Sequence, residues 1–184
     1  KNMTNRIISV LALTLILFGC GPQNRYEKDI ETQEVAVDIK RLEKDLFTAD
    51  TDSLHRLIPE MEKKYGDFFK LYNTGVIHIG ASNRRNYPDH LRDFLNNYNM
   101  NQIFNKIREV HPSMEEAEKK LQEGFSYYHH YFPDKAIPAV YTYLGGFNQS
   151  IVVADSILAI GLDKYLGRDC KFYDKLGWAD YRQQ

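Results

Sequence analysis

His129 and His130 stand side by side in SYYHHYFPDK (Ser126–Lys135), with Asp134 four residues beyond the second imidazole. Two imidazoles and a carboxylate are zinc-ligand chemistry. Their spacing argues against one shared ion. Consecutive residues on a helix point about 100° apart, whereas two ligands from one helix usually stand four apart, as in H-E-x-x-H. His129 flanks the apolar stripe that carries Phe125 and Phe132, and His130 turns toward the polar side. The pair therefore reads as structural. None of the other histidines, His55, His78, His90 and His111, is followed by Glu, so the chain holds no H-E-x-x-H. It also lacks G-x-x-x-x-G-K-[ST] and G-x-G-x-x-G, and Gly80-Ala81-Ser82-Asn83 lacks the second glycine of a nucleophile elbow. No catalytic residue, metal site or other cofactor is expected.

Weaker binding candidates lie further on. Gly145, Gly146 and Asn148 form a turn where a backbone can approach a ligand. Asp155 and Asp163 fall near strand ends. Turn chemistry explains these positions equally well, since glycine and Asn tolerate positive φ, and Asp163 can cap the KYLG stretch that follows it. The carboxylates of the first helices, scattered among lysines, read as a solvated face.

The elements that must carry these residues change character along the chain. VAVDIKRLEKDLF alternates Val35, Val37 and Ile39, then spaces Leu42 and Leu46 by four, which predicts a short strand entering a short helix. Steps of three and four from Leu54 to Tyr72 predict an amphipathic helix, with Pro59 either kinking it or opening a second one. GVIHIG (Gly75–Gly80) is β-like. Pro88 suits a helix's first turn, and Asn99 or Asn101 can cap the next helix, which turns Ile103, Phe104, Ile107 and Val110 inward. Ser113 with Glu116 forms a capping-box pattern ahead of a helix burying Met114, Ala117, Leu121, Phe125, Tyr128 and Phe132. Three β-rich runs follow, Ala139–Leu144, Ser150–Val153 and Ile157–Leu162, with hairpin-type connections. The expected fold class is α+β, a helical amino-terminal half packed on a small antiparallel or mixed sheet. So thin a sheet predicts that residues 35–184 are one domain cut short of its natural carboxyl terminus.

The first twenty residues are an address. Lys1 and Arg6 precede an apolar run, Ile7–Phe18, of about a dozen residues where a spanning helix needs ~20. Residues 1–19 read as a secretory signal, with Met3 as a possible initiator. Leu17-Phe18-Gly19-Cys20 resembles the bacterial lipobox: an aliphatic residue, then a small one directly before Cys. Cys20 is then the lipid attachment site, and several acyl chains make a firm membrane anchor. Residues 20–34 read as the lipidated Cys and a polar tether, which leaves Cys170 as a lone buried thiol. With 24 Lys+Arg against 25 Asp+Glu, no field draws in nucleic acid.

The run HHYFPDKAIPAVYTYLGGFNQSIVVADSILAIGLDKYLG, with IKRLEKDLF and KKYGDFFKLY earlier, resembles the gliding motility-associated lipoprotein GldB family; YFPD…IP…GFN…GLD.YLG is the specific part. The resemblance implies an envelope lipoprotein of Bacteroidetes-type bacteria, lipid-anchored at the outer membrane and facing the periplasm. The family is also distantly similar to a predicted zinc-peptidase group, which implies an incomplete zincin-like domain whose H-E-x-x-H helix would follow residue 184. The leading functional reading is a non-catalytic component of gliding motility or a related envelope machine, acting through envelope protein partners. The alternatives are a degenerate or partial zinc-peptidase-like protein and an anchored solute- or glycan-binding protein.

Overall fold

The computed structural model describes residues 33–176. The signal, Cys20 and most of the tether lie outside the described residues. A short strand, β1 (Ile39–Arg41), runs directly into helix α1 (Leu42–Phe47). Helix α2 (Leu54–Tyr65) follows a 3-10 turn and continues through Pro59, so the second helix opens only beyond Gly66, as α3 (Asp67–Leu71). Gly66 adopts a φ of 53°, a left-handed conformation that costs glycine little.

The β-like run Gly75–Gly80 forms no strand. A π-helical turn covers Tyr72–Val76, and the N–H groups of Ile79 and Gly80 both fold back onto the Asn73 carbonyl, at 3.0 and 3.3 Å. Local hydrogen bonding outcompetes the β-branched pattern there. Helix α4 (Tyr87–Asn96) carries Pro88 in its first turn, and α5 (Tyr98–Val110) follows. The cap of α5 is Asn97 rather than Asn99 or Asn101; its side chain accepts from Met100 N–H at 3.2 Å.

The four-stranded sheet has the order β1-β2-β4-β3, with β2 at Ala139–Tyr143, β3 at Ile151–Ala154 and β4 at Ile157–Gly161. β1, β2 and β4 run parallel, and β3 is antiparallel to β4. Only the β3–β4 connection is the expected hairpin. The Gly145–Asn148 turn instead carries the chain past the β4 position to the far edge, so the sheet is mixed.

One core cluster joins α1–α4 to the sheet. Phe68 stacks on Tyr141 with ring centroids 4.5 Å apart, and Tyr72 sends its hydroxyl to the Leu144 carbonyl at 2.8 Å. A second cluster holds Ile103, Phe104 and Ile107 of α5 with Leu144, Leu162, Leu166, Cys170 and Tyr173; Phe47 and Phe94 pack against both. Cys170 is free and buried. The last described helix is α7 (Lys171–Lys175).

Helix α6 (Glu115–Tyr131) departs most from expectation. Only Ser126 is buried on it; Leu121, Phe125 and Tyr128 are half-buried, Ala117 is exposed, and Phe132 just beyond it is 53% exposed. No reciprocal capping box forms: Ser113 Oγ accepts from Glu115 N–H, while Glu116 pairs with Lys120. Instead of sealing a core, α6 clasps the outer edge of the first strand. Glu118 Oε1 accepts from Ile39 N–H at 3.0 Å, and Ser126 Oγ accepts from Val35 N–H at 3.3 Å. The eight helical residues between these acceptors rise about 12 Å, and the four extended residues between the donors span about 13 Å, so the two rows stay in step. The outward N–H of Ile39, at the start of the edge strand, is thus satisfied, and the extended segment ahead of it is pinned at Val35.

Candidate functional site

The Gly145–Asn148 turn and Asp163, two separate candidates in the sequence, meet in the structure, but they do not share an exposed face. Asp163 sits in a 3-10 turn, Leu162–Lys164, directly after β4, and is fully buried. Its Oδ2 accepts from Gly145 N–H at 3.2 Å and from Phe147 N–H at 2.5 Å. Gly146 and Phe147 both have a φ of 66°, and the loop turns the N–H groups of Gly145 and Phe147 inward as an anion-binding nest. An internal carboxylate fills this nest. Asp163 therefore does not cap the KYLG stretch; it holds the preceding loop.

Glycine is required beside it for space. A Cβ on Gly161 would lie 2.5 Å from the Gln149 carbonyl oxygen and 3.1 Å from Asp163 Oδ1, and one on Gly145 would lie 2.9 Å from Val76 Cγ1. Asp163 Oδ1 has no hydrogen-bond partner. Burial pushes the carboxyl up to about 6, against the two N–H bonds that favour its ionised form.

The other side of this loop forms one wall of a cleft of about 390 Å³, where Gly145, Gly146 and Asn148 face His90, Asp93 and Asn97. Asn148 Nδ2 donates to the Val76 carbonyl at 2.9 Å, which ties the loop to the π-helical turn. His90 Nδ1 lies 3.2 Å from the Ile79 carbonyl and so carries the proton, leaving Nε2 as the acceptor. This cleft can hydrogen-bond a small polar molecule. Asp155 belongs elsewhere, in a cleft of about 620 Å³ shared with Lys63, Asp67 and Ser156.

His129 and His130 occupy the last turn of α6; His129 is half-buried, and the exposed His130 contacts the Tyr131 ring. Among the described residues, no three His, Cys, Asp or Glu side chains gather as a metal site would require.

A second buried carboxylate corrects the reading of the early acidic residues as a solvated face. Glu43 is fully buried, pairs with Arg41 Nε at 2.7 Å and accepts from Thr142 Oγ1 at 2.8 Å. Arg41 also donates to the His111 carbonyl at 3.0 Å. The cluster thus links α1, β2 and the end of α5. A Glu between Leu42 and Lys44 carries no sequence signal of this role, because only the parallel β1–β2 register brings Thr142 beside Arg41.

Fold and site together define an α+β domain whose glycine-rich Gly145–Asn148 loop is held from within by a buried carboxylate. The family model described as gliding motility protein GldB matches residues 23–184, and the chain belongs to that family. It is thus a gliding motility-associated protein. No curated protein and no solved structure matches it. No helix among the described residues is long and apolar enough to cross a membrane.

Proposed function

We propose that the chain is a non-catalytic envelope lipoprotein, anchored through Cys20 at the outer membrane and facing the periplasm, that serves gliding motility by contacting other envelope proteins. The family match carries this reading: it begins three residues after Cys20, so the lipobox-like LFGC directly precedes the shared domain. Use of Asp163 as an internal clasp is consistent with a body that works through its surface. Most aromatic side chains serve the core rather than an exposed glycan platform: Tyr72, Tyr87, Tyr143 and Phe69 are buried between helices and sheet, and Tyr65, Phe68 and Tyr141, which border the larger cleft, are themselves buried.

The test is metabolic labelling with radioactive palmitate in cells expressing the natural chain or Cys20→Ser. The variant should lose label, leave the membrane fraction and fail to restore spreading to a non-gliding deletion strain. Label that persists in the variant would refute the anchor, and full spreading without label would refute its role in motility.

A further inference from the structure

The two edges of the sheet are treated differently. α6 side chains take up the Ile39 N–H of β1 and the Val35 N–H ahead of it, whereas nothing among the described residues pairs with the outer edge of β3. Ile151 and Val153 there are 52% and 74% exposed. Ile151–Ala154 contains no lysine and no proline, the residues that commonly keep edge strands apart.

The outward backbone groups can be assigned. Gly161 N–H donates to the Ser150 carbonyl at 2.8 Å, and Ile151 stands opposite Ile160. In an antiparallel ladder, hydrogen-bonded and non-hydrogen-bonded pairs alternate. Residues 150, 152 and 154 therefore address β4, while Ile151 and Val153 turn their N–H and C=O groups outward.

We propose that this edge pairs with the same edge of a second copy of the chain, antiparallel about a two-fold axis through Val152, so that two four-stranded sheets become one. Two conditions restrict the register, and side-chain pairing selects among the axes they allow. An axis normal to the sheet keeps every side chain on its own face, and outward groups must meet outward groups. Setting Ile151 against Val153 of the second copy satisfies both: it forms four main-chain hydrogen bonds and two apolar cross-strand pairs on the face where these residues are exposed. Asp155 then opposes Gln149, so no like charges meet. An axis through Val153 would set Ile151 against Asp155, and one through Ile151 would set Val153 against Gln149. Four-residue pairing is small beside a standard interface of about 1,600 Å², so the dimer is weak and its population rises with concentration.

Val152→Cys tests the axis. Non-hydrogen-bonded partners have Cα atoms about 4.5 Å apart, within disulfide reach. Mild oxidation of the full chain should give a covalent dimer, at least tenfold more than Val153→Cys gives, and adding Val153→Lys should suppress it; the unsubstituted chain supplies the background from its own two cysteines. Val152 also packs toward the core, so sedimentation equilibrium of the unsubstituted chain provides a second measurement. Its dimer should weaken at least tenfold on Val153→Lys, a change confined to an exposed side chain. Equal cross-linking at 152 and 153, a chain that stays monomeric up to millimolar concentration, or a different envelope protein cross-linked to this edge in cells would overturn the proposal.

Discussion

Asp163 Oδ2 lies 2.5 Å from the Phe147 amide nitrogen and holds a non-glycine residue at a φ of 66°. The relationship joins the turn after β4 to the loop that leaves β2, and it fixes one wall of the smaller cleft.

Its energetics set a pH dependence. The folded carboxyl titrates at about 6 rather than 3.8, so burial favours the protonated form. Asp163's contribution to stability is fully present below about pH 3.8 and is lost as pH rises through about 6, a change of about 3 kcal/mol. Asp163→Asn keeps an acceptor for the two N–H groups and removes the charge. Its unfolding free energy should exceed that of the natural chain at pH 7, and the difference should vanish near pH 4; urea titrations at both pH values measure this. Asp163→Ala strands two N–H groups and should lose at least about 2 kcal/mol.

Glu43→Ala should be among the most damaging single changes, at about 3–5 kcal/mol, because it leaves the Arg41 guanidinium, 15% exposed, without its carboxylate. Glu43→Gln, which retains an acceptor for Thr142, should cost less. Denaturant midpoints of the two variants rank them directly.

The clasp on β1 predicts local loosening. Glu118→Ala should cost about 1–3 kcal/mol and speed hydrogen exchange at the Ile39 amide well before the β2–β4 amides respond. Unchanged exchange at Ile39 would show that the clasp does not hold in solution.

Phe68→Ala and Phe125→Ala separate the two kinds of helix. Phe68, fully buried against Tyr141, should cost about 3–5 kcal/mol. Phe125, half-buried on α6, should cost about 1 kcal/mol, in proportion to the apolar area it hides. Thermal melts of both variants check the contrast.

The same contrast shows what the residues alone disclose. Periodicity located α2, α4 and α5 and most of their inward residues, because those helices bury a stripe in the core; Val110, expected inward, falls in the last turn of α5 and is 37% exposed. On α6 the stripe was equally regular, yet the face that matters carries Glu118, Gln122 and Ser126, whose partners are the Ile39 N–H of β1, the Glu34 side chain and the Val35 N–H ahead of the strand. Hydrophobic spacing cannot report such contacts. Strand order was illegible for a related reason: Gly145-Gly146-Phe147-Asn148 has hairpin composition, but a carboxylate sixteen residues away shapes it into a crossing loop. Of the candidate site, Asp163 and the glycine turn were legible only as separate polar features; their contact and the burial of Asp163 depend on the loop's crossing to the far edge of the sheet.

The lacing of α6 along β1 also bears on how the domain carries load. β1 lies near the beginning of the described chain, parallel to β2 on one side and bonded to Glu118 on the other, while Ser126 holds Val35 in the extended segment before it. A pull applied at Gln33 along the strand axis strains these bonds side by side, in shear, rather than peeling them one after another. That makes the amino-terminal seam a mechanically resistant part of the fold, placed where a tethered body would be tugged.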